Sequence, residues 1–194
     1  MTSAMSPFSS LRTRLAGRSA ATAASGFTET SVALMLSPGP CGFEALFIRR
    51  AICASDPWSG QIGLPGGRRE PGDADLLMTA VRETSEEIGV DLPPEALLGT
   101  LDDVQPSAPS LPPLMIRPFV FGVDPRPESR TSAEVASSHW IALETLLGAR
   151  GMTEVVIRAK TLQAPCFKVR VETGELIIWG LTYRILNGLM LLLS

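Results

Sequence analysis

Arg82-Glu83-Thr84-Ser85-Glu86-Glu87-Ile88-Gly89-Val90 places three carboxylates at i, i+3 and i+4, a spacing that brings side chains to one side of a helix. Like charges this close repel by roughly 0.2–0.5 kcal/mol per pair on an exposed helix. A divalent cation would offset the repulsion. Hard oxygen ligands on a rigid helix suit Mg²⁺ or Mn²⁺, ions that work with phosphate-bearing substrates.

Gly67, Asp73, Arg82, Glu83, Glu86, Glu87, Gly89 and Val90 stand at the spacing of a glycine, five residues, an acid, a spacer and then Arg-Glu-x-x-Glu-Glu-x-Gly-apolar. The stretch resembles the Nudix box. It departs from that pattern in having Asp at 73 rather than Glu, eight residues rather than seven before Arg82, and the less apolar Thr84. The longer spacer with Asp is similar to the coenzyme A pyrophosphatase branch of the family.

The resemblance implies hydrolysis of a nucleoside diphosphate linked to another moiety, by water attack on phosphorus. It makes Glu83, Glu86 and Glu87 the metal ligands, with the Gly67 carbonyl as a further donor. Arg82 joins the catalytic group through a structural ion pair with Asp73, for which the altered spacing leaves Asp75 as a rival. The proton acceptor is either a box glutamate or an acid from a distal loop, and Glu134 is the distal candidate.

Two further segments carry the resemblance. Asp56-Pro57-Trp58-Ser59-Gly60-Gln61-Ile62-Gly63-Leu64-Pro65-Gly66-Gly67 is similar to the second signature of the coenzyme A branch, with Ser59 where His is common and Leu64 where Phe is common. It implies substrate binding by Arg49, Arg50, Gln61 and Gly66, since guanidinium forks match phosphate oxygens. Trp179-Gly180-Leu181-Thr182-Tyr183-Arg184-Ile185-Leu186 resembles that branch's closing element. Trp179 and Tyr183 are expected in the core, Arg184 snorkelling or capping the last helix, and His139 in a structural role.

The chain has 194 residues, a net charge of −3 and 45% hydrophobic residues, enough for one domain with a sizeable core. The acidic balance, with a pI near 5.3, argues against bulk affinity for nucleic acid or an anionic membrane. Cys41, Cys53 and Cys166 form no C-x-x-C pair, and a single histidine gives no zinc framework. A reduced, cytoplasmic setting is expected. Residues 1–26 are Ser/Ala/Thr-rich with Arg12, Arg14 and Arg18 and no acid. That composition is found in transit peptides; it is also that of a short helix near Phe8–Leu15 with a flexible linker, the reading favoured here.

The remaining elements must position the acids. Ser31–Ser37 and Phe43–Arg49 are β-rich runs around Pro38–Gly42, and Gln61–Leu64 is a short strand candidate. Gly67–Asp73 reads as a loop, followed by a helix from Ala74 or Asp75 whose packing stripe is Leu77, Val81, Thr84 and Ile88. Leu97–Val104 and Leu114–Val123 are strands joined by the Pro-rich Gln105–Pro113. Trp140–Leu143 leads to a short helix at Glu144–Leu147. Phe167–Val171 and Leu176–Trp179 form a hairpin, and Gly180–Leu193 is a terminal helix. Strands on both sides of a central helix fit an α/β fold, a Nudix-type α/β/α sandwich around a mixed β-sheet. Residues 27–194 form the domain, which the resemblance makes a hydrolase of coenzyme A or its acyl derivatives. The alternatives are hydrolysis of ADP-ribose or NADH, and a non-catalytic binding module.

Overall fold

A computed structural model describes residues 6–17, 20–22, 26–53, 58–106, 113–157 and 160–194. Parts of the expected linker before Gly26, Asp56-Pro57 of the second signature and most of the Pro-rich connection fall outside these residues.

The run SVALMLS becomes the centre of β1 (Thr28–Gly39), which turns at Pro40-Cys41 into antiparallel β2 (Gly42–Arg50). Both are buried on both faces, which is why they read as continuous apolar runs rather than alternating ones. Ala33 and Met35 face one core while Leu34 and Leu36 face the other. Short β3 (Ile62–Gly63) pairs with β2. β4 (Gly66–Arg68) pairs with β1 at Thr30–Val32, where a loop is expected from sequence. Only glycine allows that approach: a Cβ at Gly66 would sit 2.2 Å from the Ser31 carbonyl oxygen.

The central helix α2 (Leu76–Ile88) packs on one face of this sheet. β5 (Leu97–Thr100) pairs antiparallel with β6 (Leu114–Gly122), which runs parallel to β1. The expected strand to Val104 stops early. Leu101 donates to the Pro118 carbonyl at 3.0 Å, but Pro118 has no N–H to return the bond. β7 (Val135–Ala142) pairs with β2 and runs into α3 (Leu143–Gly148). The resulting seven-stranded sheet is mixed, in the order β3-β2-β1-β6-β5 with β4 and β7 attached.

A second, antiparallel sheet of β8 (Arg150–Ile157), β9 (Lys160–Val171) and β10 (Gly174–Trp179) leads into α4 (Gly180–Leu193). The β9–β10 hairpin matches the expected one but starts earlier, because β9 also pairs with β8. With α1 (Ser9–Ala16), α3 and α4 this sheet covers the face opposite α2. The fold is thus the expected α/β sandwich, with a three-stranded sheet added to one outer layer. No helix among the described residues is long and apolar enough to cross a membrane.

Helix α1 is docked rather than merely attached. Phe8, Leu11 and Leu15 enter the larger core, Phe8 stacks on Phe43 with ring centroids 5.5 Å apart, and Leu11 is 1% exposed. Leu11→Ala is expected to lower unfolding free energy by about 2–5 kcal/mol, as for other buried leucines. Urea denaturation checks this; a loss under about 0.5 kcal/mol, the range of surface changes, would mean α1 contributes little to the core.

Candidate active site

Helix α2 is fixed at both ends by local chemistry. The Asp75 carboxylate caps its start, accepting from the Met78 N–H at 2.9 Å, and Gly89 ends it in the left-handed conformation at φ 65°. Asp75 is therefore a cap and not the partner of Arg82. That partner is Asp73: Arg82 Nε and Nη2 each lie 3.0 Å from one of its carboxylate oxygens. The Glu70 N–H and the buried Thr79 hydroxyl add bonds of 2.9 Å each. The Arg82 guanidinium first, then the Glu70 N–H, hold the Asp73 carboxyl well below the usual range, while Asp73 raises the guanidinium above its own.

The buried side of α2 is rotated from the expected stripe. Leu76, Thr79, Ala80, Thr84, Glu87 and Ile88 are buried, and Leu77 and Val81 are only partly so. This roll carries Glu87 inward, leaving it 4% exposed. Its Oε2 accepts from the Gly66 N–H at 2.9 Å, and its Oε1 lies 3.9 Å from Arg50 Nη1. Burial pushes the Glu87 carboxyl up to about 7; the Gly66 N–H opposes that shift, and the Glu83 charge adds to it.

Glu83 stands against Gly67, where an added Cβ would lie 2.3 Å from Glu83 Oε1. Burial raises its carboxyl too, opposed by Arg82. Arg82 Nη1 reaches Glu83 at 3.0 Å and exposed Glu86 at 2.9 Å, so one cation already offsets the repulsion expected among the glutamates. Glu134 lies on an exposed turn, yet its charge acts on both Glu83 and Glu87.

Arg49 and Arg50 part company. Successive strand residues face opposite ways. Arg50 turns toward Glu87, whereas Arg49 donates to the Glu175 carbonyl at 3.2 Å in the other layer. Its charge there lowers the His139 pKa, after the larger effect of burial. His139 bonds to Ser137 at 2.8 Å. Arg49, expected to bind substrate together with Arg50, is thereby turned away from the box acids that Arg50 faces. Gln61 is half-buried at the rim, its carbonyl accepting from the Arg50 N–H at 3.0 Å, and Gly66 supports Glu87. Ser59, at the position where His is common, ties its loop by accepting from the Cys53 N–H at 2.8 Å. Tyr183 packs on Phe167, as expected of a core residue, with centroids 4.6 Å apart. Arg184 donates to the Gln105 carbonyl and ties α4 to the segment after β5.

The donor set suits a hard divalent cation: carboxylates on a rigid helix beside a glycine loop with no room for a side chain. The buried Ser31 hydroxyl, in register with Gly67, is without a hydrogen-bond partner among the described residues and would be satisfied by a water or ion. Among the described residues no three His, Cys, Asp or Glu side chains converge as a ready cage. Arg82 holds Glu83 and Glu86, while Glu87 rests on Gly66. A cleft of about 710 Å³ opens beside β4, lined by Glu29, Arg68, Arg69, Asp73 and Arg117 among others. Sequence patterns do not single out Ser31 or Thr79, because their roles depend on strand register and on the inward roll of α2.

The mixed sheet, the capped helix and the Arg82–Asp73 clamp define a Nudix-type protein. The NUDIX domain description matches residues 30–160, and the chain belongs to that family. Over 117 residues, 58% of its length, it is 37% identical to an uncharacterized Schizosaccharomyces pombe protein, covering 36% of that relative. Over 103 residues, 53% of its length, it is 35% identical to the human protein named mitochondrial coenzyme A diphosphatase NUDT8, covering 43% of it. The matched regions thus span less than half the length of these relatives. The fold is shared with a MutT/nudix family protein from Enterococcus faecalis at a TM-score of 0.55 and 14% identity, covering 92% of this chain and 66% of that one.

An acid whose pKa is raised on folding binds its proton more tightly in the folded state. Its contribution to stability is full below the unfolded value of 4.5 and is lost as pH rises toward about 7. Metal-free protein is therefore expected to lose on the order of 3 kcal/mol across that window through Glu87. Glu87→Gln should flatten most of that slope. Urea unfolding in chelator at several pH values checks this; an unchanged slope in the variant would contradict the burial of Glu87.

Proposed function

We propose that this chain is a pyrophosphohydrolase that cleaves coenzyme A and its acyl derivatives to 3′,5′-ADP and (acyl-)4′-phosphopantetheine. The observation that carries the reading is the pair of α2 carboxylates on the glycine loop, Glu87 on Gly66 and Glu83 against Gly67, with Arg50 at its edge. The relatives named coenzyme A diphosphatase and the branch-like segments around Gly60–Gly67 and Trp179–Leu186 support the substrate. Residues 27–194 form the hydrolase domain in this reading, and 1–26 its extension.

Glu83, Glu86, Glu87 and the Gly67 carbonyl would hold Mg²⁺ or Mn²⁺. Such an ion, when bound, supplies charge neutralisation of the diphosphate and lowers the pKa of water. Arg82, clamped by Asp73, keeps the helix and its acids in register with the glycine loop. Arg50 supplies a guanidinium for the diphosphate, and Arg68 at the rim of the neighbouring cleft supplies another for the remaining phosphate. Water adds to one phosphorus, the bridging P–O bond breaks, and the proton passes to a carboxylate. In this reading a box glutamate or Glu134, whose charge bears on Glu83 and Glu87, receives it. A reduced, cytoplasmic setting is part of this proposal, since the three cysteines form no C-x-x-C pair.

Incubation with coenzyme A, NADH, ADP-ribose or a nucleoside triphosphate, with Mg²⁺ or Mn²⁺, separates the readings by product. Preferred release of 3′,5′-ADP from coenzyme A is expected, with Arg50→Ala losing at least tenfold in kcat/KM. Preference for NADH or ADP-ribose would move the substrate elsewhere in the family. No metal-dependent turnover of any of them would make the chain a binding module.

A further inference from the structure

β8 is the outer edge of the three-stranded sheet and, among the described residues, pairs with β9 alone. β10 pairs only with Cys166–Val171 of β9, so residues 152–157 of β8 and 160–165 of β9 extend past it as a two-stranded arm. Met152, Val156 and Leu162 on this arm are 53%, 69% and 50% exposed. Exposed edges are usually blunted by charged side chains, Pro or a bulge. β8 has no Pro, its register runs unbroken from Arg150 to Ile157, and its two charges, Arg150 and Glu154, are of opposite sign.

Backbone parity says which groups stand free. The Lys168 N–H donates to the Ala149 carbonyl at 2.9 Å, so odd-numbered residues of β8 turn their backbone groups toward β9. Those of Arg150, Met152, Glu154 and Val156 point outward, and the side chains of the same residues share one face. Another strand added here must bond to these four.

We propose that the β8 edge is a homodimer interface, in which two copies of this chain join β8 to β8 antiparallel about a two-fold axis at Met152. That register sets Arg150 opposite the partner's Glu154 on both sides of the axis, and Met152 against the partner's Met152. Moving the axis to Glu154 would set Glu154 against its own copy, and moving it to Thr153 would pair Glu154 with Met152. Charge therefore selects one register among those that parity allows. The Arg150 guanidinium lies 5.5 Å over the Phe167 ring and donates to the Tyr183 hydroxyl at 3.4 Å and to Met190 Sδ at 3.8 Å, so forming the pair exchanges these contacts for the partner's carboxylate. The product is one continuous six-stranded sheet in which the two inner edges are covered.

Sedimentation velocity on the full chain, from about 1 to 100 μM, the range in which such an interface would report, tests this. The expected result is a shift to dimer mass with concentration, with slowed hydrogen exchange at the Met152 and Glu154 amides. Glu154→Arg should weaken dimerisation roughly tenfold or more, and Arg150→Glu with Glu154→Arg should restore it. Met152→Lys is a second disrupting variant that leaves the Arg150–Phe167 contact in place. Monomer mass throughout for the wild-type chain would overturn the proposal. So would a dimer that neither Glu154→Arg nor Met152→Lys weakens, since the contact would then lie elsewhere.

Discussion

The site depends on one buried contact, the Glu87 carboxylate on the Gly66 N–H. A carboxylate removed from water is costly unless it is paired and hydrogen-bonded. Here one backbone donor and the more distant Arg50 compensate it only in part, which is why its pKa rises toward about 7. The contact also fixes geometry. Gly66 can lie this close to β1 only because it lacks a Cβ, and that approach presents its N–H to α2.

Around that contact the charges are arranged in layers. Asp73 takes one side of the Arg82 fork, and Glu83 and Glu86 share the other. A single guanidinium thereby ties the loop to the helix and holds two of the acids. Arg50 reaches the third from β2. Any ion entering among the glutamates competes with these cations, and displacing them leaves both arginines near the place where an anionic substrate would lie. The scaffold and the chemistry share the same side chains.

Local spacing made much of this legible. Arg82 with Asp73, the Gly89 cap and the acid triplet lie within one short stretch, so sequence separation alone brings them together. What escaped depends on long-range pairing. Adjacent strand residues must face opposite ways, but only the pairing of β2 with β7 and the placement of α2 decide that Arg50, and not Arg49, meets Glu87. The inward roll of α2 follows from where β4 lies. β8 was not anticipated: Met152–Ile157 is β-rich, but it sits between a helix end and residues without clear alternation. The early stop of β5 was hidden because the cause, Pro118, lies on another strand.

The central claim is that the buried Glu87 is a metal ligand and not a structural acid. Calorimetric titration of Mn²⁺ into the chelator-treated protein tests it most directly. Glu87→Gln is predicted to weaken binding by more than the roughly 10–100-fold typical when only a residue supporting the ligands is changed, while Arg49→Ala leaves binding unchanged. Equal Mn²⁺ affinity in the wild-type and Glu87→Gln proteins would contradict the account.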